Sequence, residues 1–410
     1  MRLSKITFSA VGILGILLIV SGAMFATNST SGSAFSTEIE PASIIVANFQ
    51  PQVACGTAQL CPSFLDQAYS FNSLQSKGVI GEGQTIVIAD ACGDAGIKSD
   101  LKTFDAQWGL GNPTLNVIDV QGIPSCTAKQ DPLDWSAEIS LDVEWAHVVA
   151  PGATIDLLVT AKPNSSDLYG AWSYALENNL GYQISNSWGG SGGCTVTSLL
   201  ANATKDHVTV LASAGDSGAW GKGTTQTQQA PADCRNVLTV GGTTLHVTPT
   251  GAYKSESAWN EGGGGYSAKT SESAYQSLVK ITDPYGTLAK PDVSADANPN
   301  TGVLVYNAAN GGWLVVGGTS VSCPLWAGFM ADVNQIRATD GFSPAGLVNK
   351  FLYEDVYGVS GTGSLYALDF HDITTGNNGW PAGVGWDAAT GLGSFNATTL
   401  ADTLGSNASA

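Results

Sequence analysis

Gly317-Gly318-Thr319-Ser320-Val321-Ser322-Cys323-Pro324-Leu325-Trp326-Ala327-Gly328 holds the strongest structural signal in the chain. An apolar run at residues 313–316 precedes it, and residues 325–336 carry apolar side chains at helical spacing. The pattern predicts a strand, a tight turn and a helix, with Ser320 near the helix start. Free backbone N–H groups and the positive end of the helix dipole suit a nucleophile whose reaction charges a neighbouring oxygen. Ser320 could instead be a simple helix cap.

The flanking sequence alternates between strands of the buried type and helices. Strands are predicted at residues 84–90, 115–119, 154–159, 184–188, 208–214 and 237–241, and helices at 134–150, 166–179 and 195–206. This order predicts an α/β fold in which helices flank a doubly wound, mainly parallel sheet within one large domain. Sites in such sheets lie beyond the carboxyl ends of the strands, where Trp188, Asp216 and Ser320 fall.

The composition is strongly acidic. The 410 residues include 34 Asp and Glu against 16 Lys and Arg, for a formal net charge of −18. This charge argues against nucleic acid or an anionic membrane surface as the main partner. Most of it titrates away near pH 3 to 4, as expected of a surface adapted to acid. An acidic surface that only keeps the protein soluble is an equally good interpretation.

The amino-terminal segment has the pattern of an export signal. Two basic residues precede an uncharged apolar segment at 6–26, which small polar residues follow. The segment is either cleaved or retained as a membrane anchor, because its length is near the lower limit for spanning a bilayer. We expect a signal or anchor at 1–37, a linker at 38–60 and the folded domain at 61–405. Five Asn-x-Ser/Thr sequons fit an exported glycoprotein, extracellular or at the cell surface.

The seven cysteines also fit an oxidising compartment. The sequence leaves their connectivity open. The pairing that we favour joins Cys55 to Cys61, Cys92 to Cys126 and Cys194 to Cys234, and leaves Cys323 as a free core thiol.

Two acidic residues share one face of the helix predicted at 134–150. Glu138 and Asp142 are four residues apart, so their carboxyl groups lie next to each other. Such a pair is usually part of a solvated acidic face. The surrounding residues are mostly apolar, however, and we therefore expect at least one of the two acids to be buried.

Asp216 ends an apolar strand within Ala212-Ser213-Ala214-Gly215-Asp216-Ser217-Gly218. Its carboxyl group could form an Asx-turn among these small residues. It could also project into a cleft beside Ser320, where a protonated carboxyl would donate a hydrogen bond to a developing oxyanion.

Together these motifs resemble the sedolisins, the serine-carboxyl peptidases, which have a subtilisin-like fold and work in acid. The resemblance runs from about residue 60 to the carboxyl terminus, and the motifs occur in the family's order. They are Glu138-x-x-x-Asp142 continuing to Ala150-Pro151-Gly152-Ala153, Ser187-Trp188-Gly189-Gly190, Ala214-Gly215-Asp216-Ser217-Gly218, Trp259-Asn260 before Gly262–Gly265, Pro291-Asp292-Val293-Ser294-Ala295-Asp296-Ala297, and Gly-Gly-Thr-Ser320.

The resemblance implies a single catalytic domain and a role for each acid. Ser320 would be the nucleophile, Glu138 the general base and Asp142 the group that orients Glu138. Asp216 would complete the oxyanion hole with the backbone N–H of Ser320. A glutamate base suits an acidic working pH, because its ordinary pKa is near 4.3, whereas an imidazole would stay charged.

Further residues carry weaker implied roles. Ser187, Trp188 and Gly189 would line the substrate, and Asp90 would hydrogen-bond toward the catalytic acids. The resemblance also implies a long amino-terminal prosegment. Because the catalytic region is expected to begin near Pro62, we expect either that no prosegment exists or that a separate chain replaces it. The four histidines, at 147, 207, 246 and 371, are interpreted as structural or exposed.

A calcium site is implied near the carboxyl terminus. Two carboxylates and carbonyls freed by glycine turns suit an ion that takes six to eight oxygen ligands. A glycine-rich turn without metal is the alternative from the residues alone. The resemblance implies one Ca²⁺ ion, held by the side chains of Asp372 and Asp387 and by the carbonyls of Ile373, Gly383 and Gly385.

The sequence therefore predicts an exported acid endopeptidase that acts on polypeptides as a monomer. A catalytically silent surface glycoprotein that binds calcium and uses the same fold as a binding module is the main alternative. An aspartic peptidase, suggested by Asp216-Ser217-Gly218, would need a second such triplet, and Asp372-Ile373-Thr374-Thr375-Gly376 is one residue too long.

Overall fold

The computed structural model describes residues 39–42, 44–45, 53–122, 126, 135–279, 281, 283–358 and 365–406. The amino-terminal segment at 6–26 lies outside this part of the chain. The strands of the described residues are β1 Glu40–Pro41, β2 Ile44–Ile45, β3 Thr85–Ala91, β4 Leu115–Asp119, β5 Thr154–Thr160, β6 Gln183–Ser185, β7 Trp188–Ser191, β8 Thr209–Ser213, β9 Ala219–Gly221, β10 Gln229–Ala230, β11 Val237–Val247, β12 Tyr253–Ala258, β13 Gly264–Ser271, β14 Thr287–Lys290, β15 Val293–Asp296, β16 Val303–Asn307, β17 Gly312–Gly317, β18 Phe370–His371 and β19 Ser394–Phe395.

The α-helices are α1 Pro62–Ala68, α2 Phe71–Ser76, α3 Ile97–Trp108, α4 Trp135–Val149, α5 Ser165–Glu177, α6 Thr197–Lys205, α7 Ala274–Val279, α8 Thr319–Thr339, α9 Val348–Phe351, α10 Tyr366–Asp369 and α11 Ala397–Gly405. A 3₁₀ turn at Pro299–Thr301 and a π-helical turn at Leu352–Tyr357 complete the elements. Among the helices of the described residues, none combines the length and the hydrophobicity that a bilayer span requires.

The central sheet is parallel except at one edge. Its strands follow the order β12-β11-β8-β6-β3-β5-β4, with β15 also paired to β11, and only β12 runs antiparallel to its neighbour. Each predicted strand of the alternating region has a counterpart. The strand predicted at 184–188 is interrupted, because the chain leaves the central sheet after Ser185 and starts β7 at Trp188.

Both faces of the sheet are covered, as the doubly wound prediction required. Along β3, Ile86 and Ile88 face one hydrophobic cluster while Val87 and Ala89 face another, because successive strand side chains point to opposite faces. Residues of α4 and α8 belong to the first cluster, and residues of α5 and α6 belong to the second. The predicted α/β fold is confirmed.

The three disulfides confirm the pairing favoured from the sequence. Cys55 bonds to Cys61, Cys92 to Cys126 and Cys194 to Cys234. Cys323 is free and buried in α8, as expected of a core thiol.

The segment predicted as a linker contributes strands of its own. β1 pairs antiparallel with β7, so that Glu40 lies opposite Gly189 and Pro41 opposite Trp188. β2 pairs antiparallel with the end of β17, next to the start of α8. Residues 39–42 and 44–45, which we name the cleft segment, therefore run between two strands that border Ser320.

Candidate active site

Ser320 lies in the first turn of α8. β17 ends at Gly317, and Gly318 then takes a φ of 110°, a left-handed conformation that favours glycine. The helix begins at Thr319, well before the apolar periodicity that predicted it. Pro324 lies inside it, so the N–H that would otherwise bond the Ser320 carbonyl is missing.

The hydroxyl and the backbone N–H of Ser320 both have partners. Its Oγ donates to the Ser187 carbonyl over 3.3 Å. Its N–H donates to the carbonyl oxygen of Ala42, in the cleft segment, over 3.2 Å. With these neighbours in place Ser320 is 0% exposed. A peptide carbonyl therefore occupies the position where the N–H of a nucleophilic serine would stabilise an oxyanion.

Ser187 connects Ser320 to the acid pair. Its backbone carbonyl accepts from Ser320, and its own hydroxyl donates to Asp142 Oδ1 over 2.7 Å. Glu138 and Asp142 lie on α4, which packs against α8, and both carboxyl groups are fully buried. The expectation that at least one acid is buried is confirmed.

The buried acids raise one another's proton affinity. Burial raises the pKa of Asp142 well above its ordinary value, the negative charges of Asp90 and Glu138 raise it further, and the hydrogen bond from Ser187 lowers it. Burial also raises the pKa of Asp90 to about 7. Asp90, Glu138 and Asp142 therefore form one electrostatic group, in which neighbouring carboxyl groups cannot all be charged without cost.

Asp216 lies at the amino-terminal end of α8. Its Oδ1 accepts hydrogen bonds from the backbone N–H and the hydroxyl of Thr319, each over 2.8 Å. Among the residues that the structure describes, Asp216 Oδ2 is buried without a hydrogen-bond partner. Burial raises the pKa of Asp216 to about 7, against the lowering effect of the Thr319 bonds, and the charge of Glu261 raises it as well. In acid the carboxyl is protonated, so it can donate a hydrogen bond one residue away from Ser320.

The residues expected to line the substrate form one edge of a cleft. Trp188 is buried, donates from Nε1 to the Ala89 carbonyl over 2.7 Å, and begins β7, against which β1 lies. Beside Ala42 is a cavity of about 180 Å³. Its lining includes Gly189, Asp216, Gly218, Trp220 and Gln226. The cavity leaves room for a larger side chain than the methyl group of Ala42.

The residues expected to hold calcium share one loop region. Asp387 Oδ2 accepts from the N–H of Gly383 over 2.9 Å, and Asp372 Oδ1 accepts from the N–H of Gly385 over 3.1 Å. Ile373 is buried beside Asp372. Within the described residues, no three His, Cys, Asp or Glu side chains are grouped so that they could hold a metal ion. The donor set, two carboxylates with backbone carbonyls, consists of the hard oxygen ligands that suit Ca²⁺.

Sequence reasoning did not find two features of the site. Thr319 was not singled out, although its hydroxyl binds Asp216 and accepts from the N–H of Gly215 over 3.0 Å. The cleft segment was predicted to be a linker, because its composition does not distinguish a spacer from a strand that pairs along a cleft. His147, as expected, has a structural environment, since its Nε2 lies 2.7 Å from the Gly111 carbonyl.

A family model described as the subtilase family matches residues 128–352, more than half of the chain. Sedolisin from Pseudomonas sp. (strain 101) is 31% identical over 358 residues, covering 79% of this chain and 58% of that protein. Kumamolisin from Bacillus sp. (strain MN-32) is 32% identical over 367 residues, covering 81% and 61%. The chain thus spans about three fifths of the length of these two relatives.

A solved structure gives the same result at the level of the fold. Pseudomonas sedolisin, a serine-carboxyl proteinase complexed with two molecules of pseudo-iodotyrostatin, superposes with a TM-score of 0.72 at 27% sequence identity. The match covers 86% of this chain and 100% of that one. The chain therefore belongs to the subtilase family, is homologous to the sedolisins and has their fold.

Proposed function

We propose that the chain is an acid-active serine-carboxyl endopeptidase that hydrolyses peptide bonds through an acyl-enzyme on Ser320. One observation carries the proposal: a peptide carbonyl, that of Ala42, accepts a hydrogen bond from the N–H of Ser320 while its strand pairs with β7. A cleft that binds a polypeptide in this way presents a carbonyl carbon to the serine. Homology to sedolisin and kumamolisin supports the same reaction.

In the proposed reaction Ser320 Oγ attacks the carbonyl carbon as Glu138 accepts its proton. The hydroxyl must pass its hydrogen bond from the Ser187 carbonyl to the Glu138 carboxylate for this step. Asp142, held by the Ser187 hydroxyl, orients Glu138, and Asp90 keeps a proton within the group. The leaving amine takes the proton from Glu138, and water then releases the acyl group by the same route.

The oxyanion receives hydrogen bonds from the N–H of Ser320 and from protonated Asp216. Neutral Asp216 donates in acid, whereas ionised Asp216 would repel the oxyanion. Because the pKa of Asp216 is raised to about 7, this contribution is complete in acid and is lost as pH rises through 7. A carboxylate base and a protonated carboxyl donor coexist only at acidic pH, which is the reason for the proposed acid activity.

The proposal extends to calcium and to location. Asp372, Ile373, Gly383, Gly385 and Asp387 would hold one Ca²⁺ ion, whose role is to fix the loop that carries them. The disulfides and the export pattern support an extracellular protein with residues 6–26 as its signal or anchor. We propose that it acts as a monomer.

A pH profile on a denatured protein substrate, run beside Ser320→Ala, tests the proposed function. We expect the wild type to be most active in acid and Ser320→Ala to lose all but a residual activity, with a melting temperature near that of the wild type. An active Ser320→Ala would remove Ser320 from the mechanism. A maximum near pH 8 would exclude a carboxylate base. A folded wild type that cleaves nothing would favour a silent binding module.

A further inference from the structure

Ala42 marks the position of the substrate residue that precedes the bond to be cut. Its carbonyl oxygen accepts from the N–H of Ser320, where the scissile carbonyl of a bound polypeptide would lie. Its own N–H donates to the Ser187 carbonyl over 3.1 Å, and two residues earlier Glu40 pairs with Gly189. The backbone of the cleft segment therefore stands in for the backbone of a substrate. A side chain at the position of Ala42 borders the cavity of about 180 Å³.

Glycines line two sides of this cavity. Gly189 belongs to β7, and Gly215 and Gly218 lie on either side of the oxyanion residue Asp216. Because these glycines have no side chains, the space between them stays open. Trp220 also lines the cavity, and its buried ring offers an apolar surface to the methylene groups of a substrate. The cavity can therefore receive a side chain with a methylene stem.

The side chain of Gln229 lies between the two glycine walls. A Cβ atom added at Gly189 would lie 3.7 Å from Gln229 Oε1, and one added at Gly215 would lie 3.5 Å from Gln229 Cγ. The backbone of Gln229 is fixed, because it lies opposite Ser191 in the pairing of β10 with β7. Its side-chain amide, by contrast, has no hydrogen-bond partner among the residues that the structure describes. The amide of Gln229 is thus free to bind a group in the cavity.

The cavity offers hydrogen bonds rather than charge. Gln226, the other amide of the lining, is exposed and already donates to the Ser217 carbonyl. Among the described residues that line the cavity, the ionisable ones are Asp216 and Glu40, and none is basic. Burial, with a smaller contribution from the charge of Glu261, raises the pKa of Asp216 to about 7, so this carboxyl is neutral in acid. Glu40 belongs to the cleft segment, which a substrate would replace.

We propose that Gln229 selects substrates that carry glutamine, or glutamic acid in its protonated form, immediately before the cut. This inference rests on the proposed peptidase function. The carboxamide of a substrate glutamine can donate to Gln229 Oε1 and accept from Gln229 Nε2 at the same time, and a protonated carboxyl can do the same. An ionised carboxyl can only accept. An apolar side chain that fills the cavity would leave the Gln229 amide without a partner.

The test uses internally quenched peptides that repeat residues 39–41, carry glutamine, glutamate, leucine, lysine or alanine at the position of Ala42, and share one tail. The kcat/KM of the full chain is measured at pH 3 and pH 5.5 relative to the alanine peptide, and product masses identify the cut bond. At pH 3 we expect the glutamine and glutamate peptides to be cut about tenfold faster than the leucine peptide, because leucine leaves a polar group of the site unpaired. The cut sites in a denatured protein should show the same order.

The ratio of the glutamate peptide to the glutamine peptide isolates the protonation of the substrate. The same enzyme acts on both peptides, so the titration of Glu138 and Asp216 cancels in this ratio. Because the ordinary pKa of glutamate is near 4.3, the ratio should fall about tenfold between pH 3 and pH 5.5. A ratio that does not change with pH would overturn the proposed hydrogen bonding.

Two variants of Gln229 change the selection in different ways. Gln229→Leu removes the amide and should reverse the order of the glutamine and leucine peptides. Gln229→Glu should increase the cutting of the lysine peptide about tenfold at pH 5.5, because its carboxylate would face the ammonium group. Thr227→Leu is the matched control, since Thr227 is exposed, lies two residues away and does not line the cavity. The same order of peptides in Gln229→Leu and Thr227→Leu would contradict the role of Gln229.

Other outcomes separate this inference from the proposed function. A wild-type chain that cuts the leucine or the lysine peptide as fast as the glutamine peptide overturns the selection and leaves the peptidase function standing. Cutting at a bond other than the one after the variable residue overturns the assignment of the cavity to that residue. A folded chain that cuts neither the peptides nor a denatured protein removes both proposals.

Discussion

Ser187 and Asp216 each have two roles near Ser320, and each residue uses different atoms for the two roles. Ser187 uses its carbonyl for Ser320 and Ala42 and its hydroxyl for Asp142. Asp216 uses Oδ1 to cap α8 at Thr319, which leaves Oδ2 for a ligand in the cleft. A change at either residue would therefore affect both the position of Ser320 and the chemistry beside it.

Asp216→Asn separates these functions. The amide oxygen can still accept from Thr319, and the amide nitrogen donates at every pH. Because the wild-type carboxyl, with its pKa raised to about 7, donates only when protonated, we expect the loss of kcat/KM toward neutral pH to be weaker in Asp216→Asn. Asp216→Ala should lose about 10²–10³ in kcat at pH 4, as for other oxyanion-hole donors. Identical pH limits in Asp216→Asn and the wild type would contradict this role.

The residue types of the site could be predicted from the sequence, but most contacts between them could not. Glu138 and Asp142 share a helix, so their proximity follows from helical spacing. The bond from Ser187 to Asp142 joins residues 45 positions apart and depends on how β6 ends. No local pattern indicates that the hydroxyl of Thr319 binds Asp216, because the two residues meet only in the folded chain.

The contact between α4 and α8 brings the acids to the serine. A Cβ atom added at Gly328 would lie 2.7 Å from the Cβ of Val149 and 3.0 Å from the Ala146 carbonyl, so the two helices approach closely there. Such closeness leaves no room for a side chain at position 328, so it requires glycine there. The sequence predicted both helices, α4 with nearly its observed bounds and α8 with a start six residues later than the observed one. Their partnership could not be predicted, because helical periodicity does not say which apolar faces meet.

The loop that carries Asp372 and Asp387 is the element on which calcium is expected to act. At pH 6, in a Ser320→Ala background that prevents self-digestion, we expect EDTA to lower the melting temperature by several degrees and Ca²⁺ to restore it. An ion that binds only the folded state stabilises it by mass action. Differential scanning calorimetry gives the measurement.

Asp387→Asn supplies the control for the calcium prediction. It removes one carboxylate ligand, so its melting temperature should already be low and should not respond to EDTA. A wild-type loop whose stability is the same with EDTA and with Ca²⁺ would contradict a resident ion. The sequence could predict the carboxylates but not that the Gly383 and Gly385 amides bond to them, which depends on the turn geometry.

At the scale of the whole molecule, the described part of the chain buries many carboxyl groups. Asp66, Asp332 and Glu144 have pKa values raised well above the ordinary range, chiefly by burial. A folded state that retains protons released by the unfolded chain loses stability as pH rises above about 4, the ordinary value. The net charge of −18 adds repulsion at neutral pH. The protein should therefore be most stable in acid, where it is proposed to work.

Asp332 allows a direct test of whether buried carboxyl groups lower the stability as pH rises. It is fully buried on α8, and the charge of Asp66 raises its pKa further. In the Ser320→Ala background we expect the melting temperature to fall between pH 4 and pH 7.5. Each pKa unit of difference between folded and unfolded states corresponds to about 1.4 kcal/mol. Asp332→Asn removes one such group and should reduce the fall by several degrees. The side chain of Asp402 is 63% exposed, so Asp402→Asn should leave the fall in melting temperature unchanged. Equal slopes in both variants would mean that surface repulsion, rather than buried carboxyl groups, sets the pH dependence.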